Sequence, residues 1–355
     1  MCGMHTSPNR KNLFELLPDS LLVCIFNQVH DVKALGRCAA VCKHFNTLVP
    51  QVEDIVVKVD CVVSAGESTF SPSSSGLLPH LYRVLVGSLV KPLHALHQLL
   101  APKKHVVPHV SLQSPGEVLK NFKHLRHLQI ELPGGEMGVE DGLVLKWWAE
   151  FGSSLENCVI LAAASLKCLE IDKLVRTSGS GISLVNVSSG NGVAMQDCSS
   201  NIPEAFLTDG ALKLRLVWTI SSLIAASARH YLLQQIVSDH PMLESLVLSD
   251  ADGQGTLCMN KKQLIDFQVK PIAASASTSR TQVPALNMKL WYAQMLDLPD
   301  GFAMNDATLF SIRPSNPSAK EEAEKLPMNA FKGPFCNAAG LLAQRRTYLL
   351  EMNSF

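Results

Sequence analysis

The segment Leu13–Val49, LFELLPDSLLVCIFNQVHDVKALGRCAAVCKHFNTLV, constrains the fold more than any other part of this chain. Its spacing predicts three short helices. Pro18 fixes its own φ and favours an extended Leu17, so no helix runs through from Leu13. Asp19 or Ser20 is placed to cap the helix that follows. Leu21, Leu22, Ile25, Phe26 and Val29 recur at helical spacing and give that helix a broad apolar face. Asp31 offers a second cap, ahead of Val32, Leu35 and Cys38, with Gly36 weakening this helix slightly. Val41, Cys42, Phe45, Leu48 and Val49 form a third apolar face, and Pro50 discourages further helix. Helices this short cannot bury such faces among themselves. Periodicity leaves two outcomes open: the surplus docks on the rest of this chain, or it docks on another protein.

The bulk numbers narrow the class. With 355 residues, 47% of them hydrophobic, the chain is long enough for one large domain plus a small one, or for two to three domains. Lys+Arg equals Asp+Glu at 31 each, so no basic excess marks a nucleic-acid binder, and no nucleic-acid partner is expected. A net charge of zero predicts modest solubility alone, as befits a subunit. Ten cysteines occur without a C-x-x-C, the closest pair being Cys38 and Cys42. The start MCGMHTSPNRKNLF has no apolar run of the secretory kind. The thiols therefore read as reduced core residues of a cytoplasmic or nuclear protein. Arg83, Lys91 and Arg229 interrupt the most apolar stretches, so no membrane span is expected.

The string LPDSLLVCIFNQV…ALGRCAAVCKHFNTLV resembles the F-box family. That pattern has Leu-Pro, paired apolar positions leading to Ile-Phe, a Leu about ten residues on, and a Val-Cys-Lys-aromatic block. Leu17, Pro18, Leu21, Leu22, Ile25, Phe26, Leu35, Val41, Cys42, Lys43 and Phe45 fill those positions in order. Many members carry Trp where Phe45 stands, and a further Trp past the third helix that this chain lacks. The resemblance implies a Skp-type adaptor as partner and, through it, a cullin. It implies that Leu17, Pro18, Ile25, Leu35, Val41, Cys42 and Phe45 contribute to the adaptor interface. Leu21, Leu22, Phe26 and Leu48 are divided between interface and internal packing. The run DVKALGRCAAVCKHFNTLVPQVEDIVVKVD, leading directly into a strand, is also similar to a plant F-box subgroup, the auxin-up-regulated type, which implies a link to growth or hormone responses.

Beyond the helices, Ile55–Val59 is β-branched and alternating, and reads as a strand. Leucine frames recur at Leu125/Leu128/Ile130, Leu155/Cys158/Ile160, Leu243/Leu246/Leu248 and Leu286/Met288/Leu290, and Leu212, Leu214, Leu216 and Trp218 alternate. Helical patterns lie between them, at VEDGLVLKWWAEFG and at SSLIAASARHYLLQQIVSDHP. Strands alternating with helices favour α/β architecture, and the frames resemble leucine-rich repeats. The expected fold is α+β overall: residues 1–12 flexible, an F-box at 13–50, and a degenerate leucine-rich-repeat-like solenoid at 51–355, with mobile loops at 64–76, 176–205 and 273–284. A compact α/β sandwich is the alternative.

Sites of other kinds find little support. His94, His97, His105 and His109 lack carboxylate or thiolate help, and Pro102 and Pro108 break any helix carrying all four, so no metal is expected. There is no G-x-S-x-G elbow, no G-x-G-x-x-G and no Walker A sequence, so neither an enzyme site nor a cofactor is expected. Trp147 and Trp148 read as one core and one semi-exposed residue, or as an anchor for a bound protein. The expected function is a non-catalytic substrate receptor of a Skp–cullin–F-box ubiquitin ligase, presenting a target protein that the sequence does not name. A scaffold outside any ligase and a small-molecule (hormone) co-receptor are the alternatives.

Overall fold

The apolar strand segments pair into a single ten-stranded mixed sheet, with burial alternating along β3 and β6 and continuous along most of β4. The computed structural model describes residues 13–59, 119–134, 142–168, 211–270, 280–299, 301–315 and 330–354. A 3₁₀ turn, Leu13–Leu16, leads into α1 (Asp19–Val29), α2 (Val32–Ala39) and α3 (Lys43–Leu48). The strands are β1 (Asp54–Lys58), β2 (His127–Leu132), β3 (Val144–Phe151), β4 (Leu155–Ala163), β5 (Ser165–Cys168), β6 (Ser245–Asp250), β7 (Gly255–Asn260), β8 (Leu286–Asp297), β9 (Phe302–Pro314) and β10 (Thr347–Met352). The later helices are α4 (Ala211–Leu232), α5 (Gln234–Asp239), α6 (Lys261–Val269) and α7 (Pro334–Ala343). The strand order is β1-β2-β6-β7-β3-β4-β9-β8-β10, with β5 also on β9.

This topology replaces the expected repeat solenoid. Successive repeats would add parallel neighbours in sequence order, and only β1/β2, β2/β6 and β3/β7 are parallel. β3/β4, β4/β9, β6/β7, β8/β9 and β8/β10 are antiparallel, and β3 lies beyond β6 and β7. The leucine frames are therefore strands of one sheet, while the coarser expectation of helices followed by a mixed α/β domain describes the molecule. Helices cover both faces. Leu223, Ala225 and Ala226 of α4 join the larger core with Trp147 and Ile160. Ala338 and Leu342 of α7 join the other with Val159, Leu161 and Trp291. Among the described residues no helix is long and apolar enough to cross a membrane.

Two local expectations are corrected. VEDGLVLKWWAEFG forms β3 rather than a helix, because Leu145, Trp147, Ala149 and Phe151 point inward at period two. Gly142, at φ 95°, breaks any helix before it could start. Conversely, Leu212–Trp218 is the first part of α4 and not a strand. Four alternating apolar residues also suit a helix here, since Arg215, Thr219, Ser222, Ala226 and Arg229 are buried at three- and four-residue intervals. Their continuation into an alanine-rich run settles the competition. Trp147 is buried and Trp148 half-buried, so the pair serves the two faces of a strand. Gly255 is needed beside it, because a Cβ there would overlap the Trp147 indole. Of the three expected loops, 64–76 and 176–205 lie outside the described residues, as do 273–279. Residues 281–285 carry no regular structure.

His230 fastens α4 to the sheet. Its Nε2–H donates to the Gly152 carbonyl at 2.9 Å, which leaves Nδ1 to accept from the Thr281 hydroxyl at 2.8 Å. The ring stacks on Phe151 at 4.4 Å and lies 4.3 Å from the Phe267 ring centroid. Burial lowers its pKa from 6.5 to about 3. The unfolded chain therefore takes up a proton below pH 6.5 that the folded chain refuses. The resulting stability is complete above pH 6.5 and is lost as pH falls toward about 3, by about 1.4 kcal/mol per pH unit. Urea denaturation at pH 7 and pH 5 should show a steeper loss in the wild type than in His230→Gln.

Candidate functional site

The three amino-terminal helices present two different faces. On α1 the inward positions are Leu22 and Phe26, at 1% and 4% exposure, one turn apart. Leu35 of α2 is fully buried, and Leu48, Val49 and Val52 close the same core against Ile55 and Val57 of β1. Polar clasps reinforce the packing. The backbone N–H of Glu53 donates to Asn27 Oδ1 at 2.8 Å, and that of Val56 donates to the His30 carbonyl at 2.8 Å. His30 turns the chain there at φ 53°, so Asp31 bridges Val56 alongside β1. The helical unit thus covers the outer edge of β1.

The outward face is built from neighbouring positions on the same helices. Leu21 and Ile25, one turn apart on α1, are about half exposed, and Val41 is 71% exposed. Pro18, Cys24 and Cys42 are exposed and Leu17 is half-buried. Phe45 is half-buried and meets Phe14 edge-on at 5.7 Å and Phe26 at 5.2 Å, tying the 3₁₀ turn, α1 and α3 together. His44 Nε2 reaches Asp19 Oδ1 at 2.8 Å, a second tie between α3 and α1. Caps hold the angles: Asp31 Oδ2 accepts from the Ala34 N–H at 2.9 Å, and Cys42 Sγ accepts from the Phe45 N–H at 3.4 Å. At α1 the expected Asp19 or Ser20 cap is replaced by Pro18, extended at ψ 144°, and Asp19 begins the helix.

The residues that the resemblance places at a partner interface therefore separate by burial. Leu17, Pro18, Leu21, Ile25, Val41, Cys42 and Phe45 keep accessible surface. Leu22, Phe26, Leu35 and Leu48 are buried in the free chain and hold its helical scaffold together. Phe14 and Leu16, 52% and 67% exposed, were not singled out from the pattern. Their signal was the apolar string LFELLP itself, in which they stand before Pro18. Exposed apolar groups concentrated on one small unit mark an interaction surface more often than they mark a defect. One face is thus docked on the rest of the chain, and the other stays open.

Among the described residues no other arrangement competes as a site. His94, His97, His105 and His109 lie outside the described residues. His127 contacts Ser245 at 2.9 Å and Asp54 at 3.8 Å within a solvated charge ladder across β1, β2 and β6. Among the described residues no group of three or more His, Cys, Asp or Glu side chains could hold a metal, and the described cysteines are free thiols.

The family model described as F-box-like matches residues 14–52, which are the 3₁₀ turn, the three helices and the approach to β1. Similarity to curated proteins runs along almost the whole chain. F-box protein At5g46170 of Arabidopsis thaliana is 48% identical, over 96% of this chain and 93% of that protein. F-box protein At4g18380 of the same plant is 47% identical, over 99% and 96% respectively. F-box protein AUF1, also of Arabidopsis thaliana, is 34% identical over 96% and 99%. No solved structure matches the chain.

Proposed function

The chain belongs to the F-box protein family, and on that premise we propose that it is the substrate receptor of a Skp–cullin–F-box ubiquitin ligase. Members of this family generally act as non-catalytic substrate adaptors of such ligases, bound through a Skp-type adaptor. The observation that carries the reading is the division of the helical unit: its buried face is fixed to β1, and its opposite face leaves Leu21, Ile25 and Val41 open. The open face takes the adaptor, and the mixed sheet presents the target.

Catalysis by such a subunit is positional. A few apolar anchors, each worth roughly 1–4 kcal/mol when truncated, hold the adaptor. Pro18 pre-organises the entrance to α1 and lowers the ordering cost of binding. Holding the target near a charged conjugating enzyme turns a bimolecular encounter into an intramolecular one, with transfer chemistry supplied by other subunits. The ligase acts in the cytoplasm or nucleus, and the resemblance to the auxin-up-regulated type favours a growth or hormone setting. Co-expression tests the reading. Tagged full-length chain should recover a cullin only when a Skp-type adaptor is present, and Leu17→Ala/Pro18→Ala should lower that recovery while leaving the chain folded. Recovery of neither protein would move the chain to a scaffold acting outside any ligase.

A further inference from the structure

We infer that the outer edge of β10 docks an extended, acidic segment of the target protein by strand addition. This rests on the receptor reading above and deepens it by placing the target. A sheet edge offers a row of backbone donors and acceptors, and folded chains usually cover or blunt such edges. The two ends of this sheet are treated differently. β1 is covered: the Val56 N–H is taken by His30, and Asp31 bridges to the same residue. β10 pairs only with β8 among the described residues, in unbroken register from Thr347 opposite Trp291 to Met352 opposite Leu286. TYLLEM contains no proline, no lysine and no bulge, the devices that normally protect an edge.

Side chains on the edge select the occupant. Tyr348, Leu350 and Met352 lean on the larger core and hold the strand flat. Leu349 points the other way and is 75% exposed, the most exposed large apolar residue described. Lys289 lies directly opposite it, and Arg345 and Arg346 precede the strand, all three exposed. Glu351 is the one acid on β10. An incoming strand with alternating apolar residues and acidic ends would cover Leu349 and meet these cations. Eight strand-to-strand steps separate the two edges in hydrogen-bonding order, and at about 4.8 Å per step β10 lies roughly 38 Å across the sheet from β1. Adaptor and target can therefore be bound together without overlap.

The test uses full-length chain and three labelled octapeptides. They are Glu-Glu-Val-Thr-Val-Thr-Val-Glu, the same peptide with each Glu replaced by Lys, and the acidic peptide with its central Val replaced by Pro. Anisotropy should show the acidic peptide binding about tenfold or more tighter than the other two. Its binding should slow amide exchange across 347–352. Leu349→Lys and Lys289→Glu/Arg345→Glu should each weaken it by about tenfold, with unchanged melting temperature. Absence of acidic-peptide binding, equal binding of the proline peptide, or indifference to both variants would overturn the inference. So would self-association of the wild-type chain that Leu349→Lys abolishes, since the edge would then serve a second copy. Adaptor titration of the same variants keeps the two readings apart: they should bind adaptor normally, whereas failure of the wild type to bind adaptor would remove the receptor reading and leave the peptide result intact.

Discussion

Arg229→Ala should destabilise the chain by about 3–5 kcal/mol, the largest single loss expected on the sheet side. Arg229 and Asp250 have side chains only 1% exposed. One guanidinium nitrogen donates to Asp250 Oδ2 at 2.9 Å, and another donates to the Gly255 carbonyl at 2.9 Å. The group also lies 4.6 Å from the Trp147 ring centroid. Asp250 is satisfied in turn by the N–H groups of Gln254 and Gly255, at 2.6 and 2.8 Å. Burial pulls the Arg229 pKa down, and the Asp250 carboxylate pushes it back up. Removing the cation strands a buried carboxylate at the β6–β7 turn, and that uncompensated charge is the main source of the loss. Arg229→Met/Asp250→Asn should recover much of it, because neither charge then remains. Urea unfolding midpoints of the wild type and the two variants decide the matter. A cost below about 1 kcal/mol for Arg229→Ala would mean that the pair is solvated.

On the helical side, Ile25→Asp should weaken adaptor binding by about a hundredfold or more and barely change the melting temperature. Ile25 is 48% exposed, so a carboxylate there is hydrated in the free chain. Within an interface the same carboxylate would be desolvated without a partner. Leu22→Ala, one face around the same helix, should behave in the opposite way. Leu22 is 1% exposed, and truncating it costs about 2–5 kcal/mol of stability, with little loss of affinity per folded molecule. Calorimetric unfolding beside adaptor titration separates the two effects. If both variants behaved alike, the division of α1 into an inner and an outer face would be wrong.

The amino-terminal helices were legible because their physics is local. Pro18, Asp31 and the three- to four-residue spacing of apolar groups act within a turn or two, and the model match at 14–52 falls on the same stretch. What sequence could not apportion was which apolar residues look inward. Leu21 and Leu22 are adjacent and equally apolar, and only the placement of β1 against α1 buries one and exposes the other. The sheet was harder for a related reason. The frames at Leu128 and Leu246 are neighbouring parallel strands, much as a repeat would place them. Strand order, however, is set by contacts far apart in sequence, and β7 and β3 enter between that pair and β4. Trp147 and Trp148 lie in a stretch that reads as helical in sequence, and its period-two burial makes it β3. The Arg229–Asp250 and His230–Gly152 clasps left no trace in the sequence, since each joins residues from different elements of the fold.

Titration of a purified Skp-type adaptor into full-length chain, for wild type and for Ile25→Asp/Val41→Asp, tests the central claim most directly. Micromolar or tighter binding by the wild type, absent in a double variant that melts at the same temperature, is the predicted result. No heat of binding with the wild type, or undiminished binding by the double variant, would contradict it.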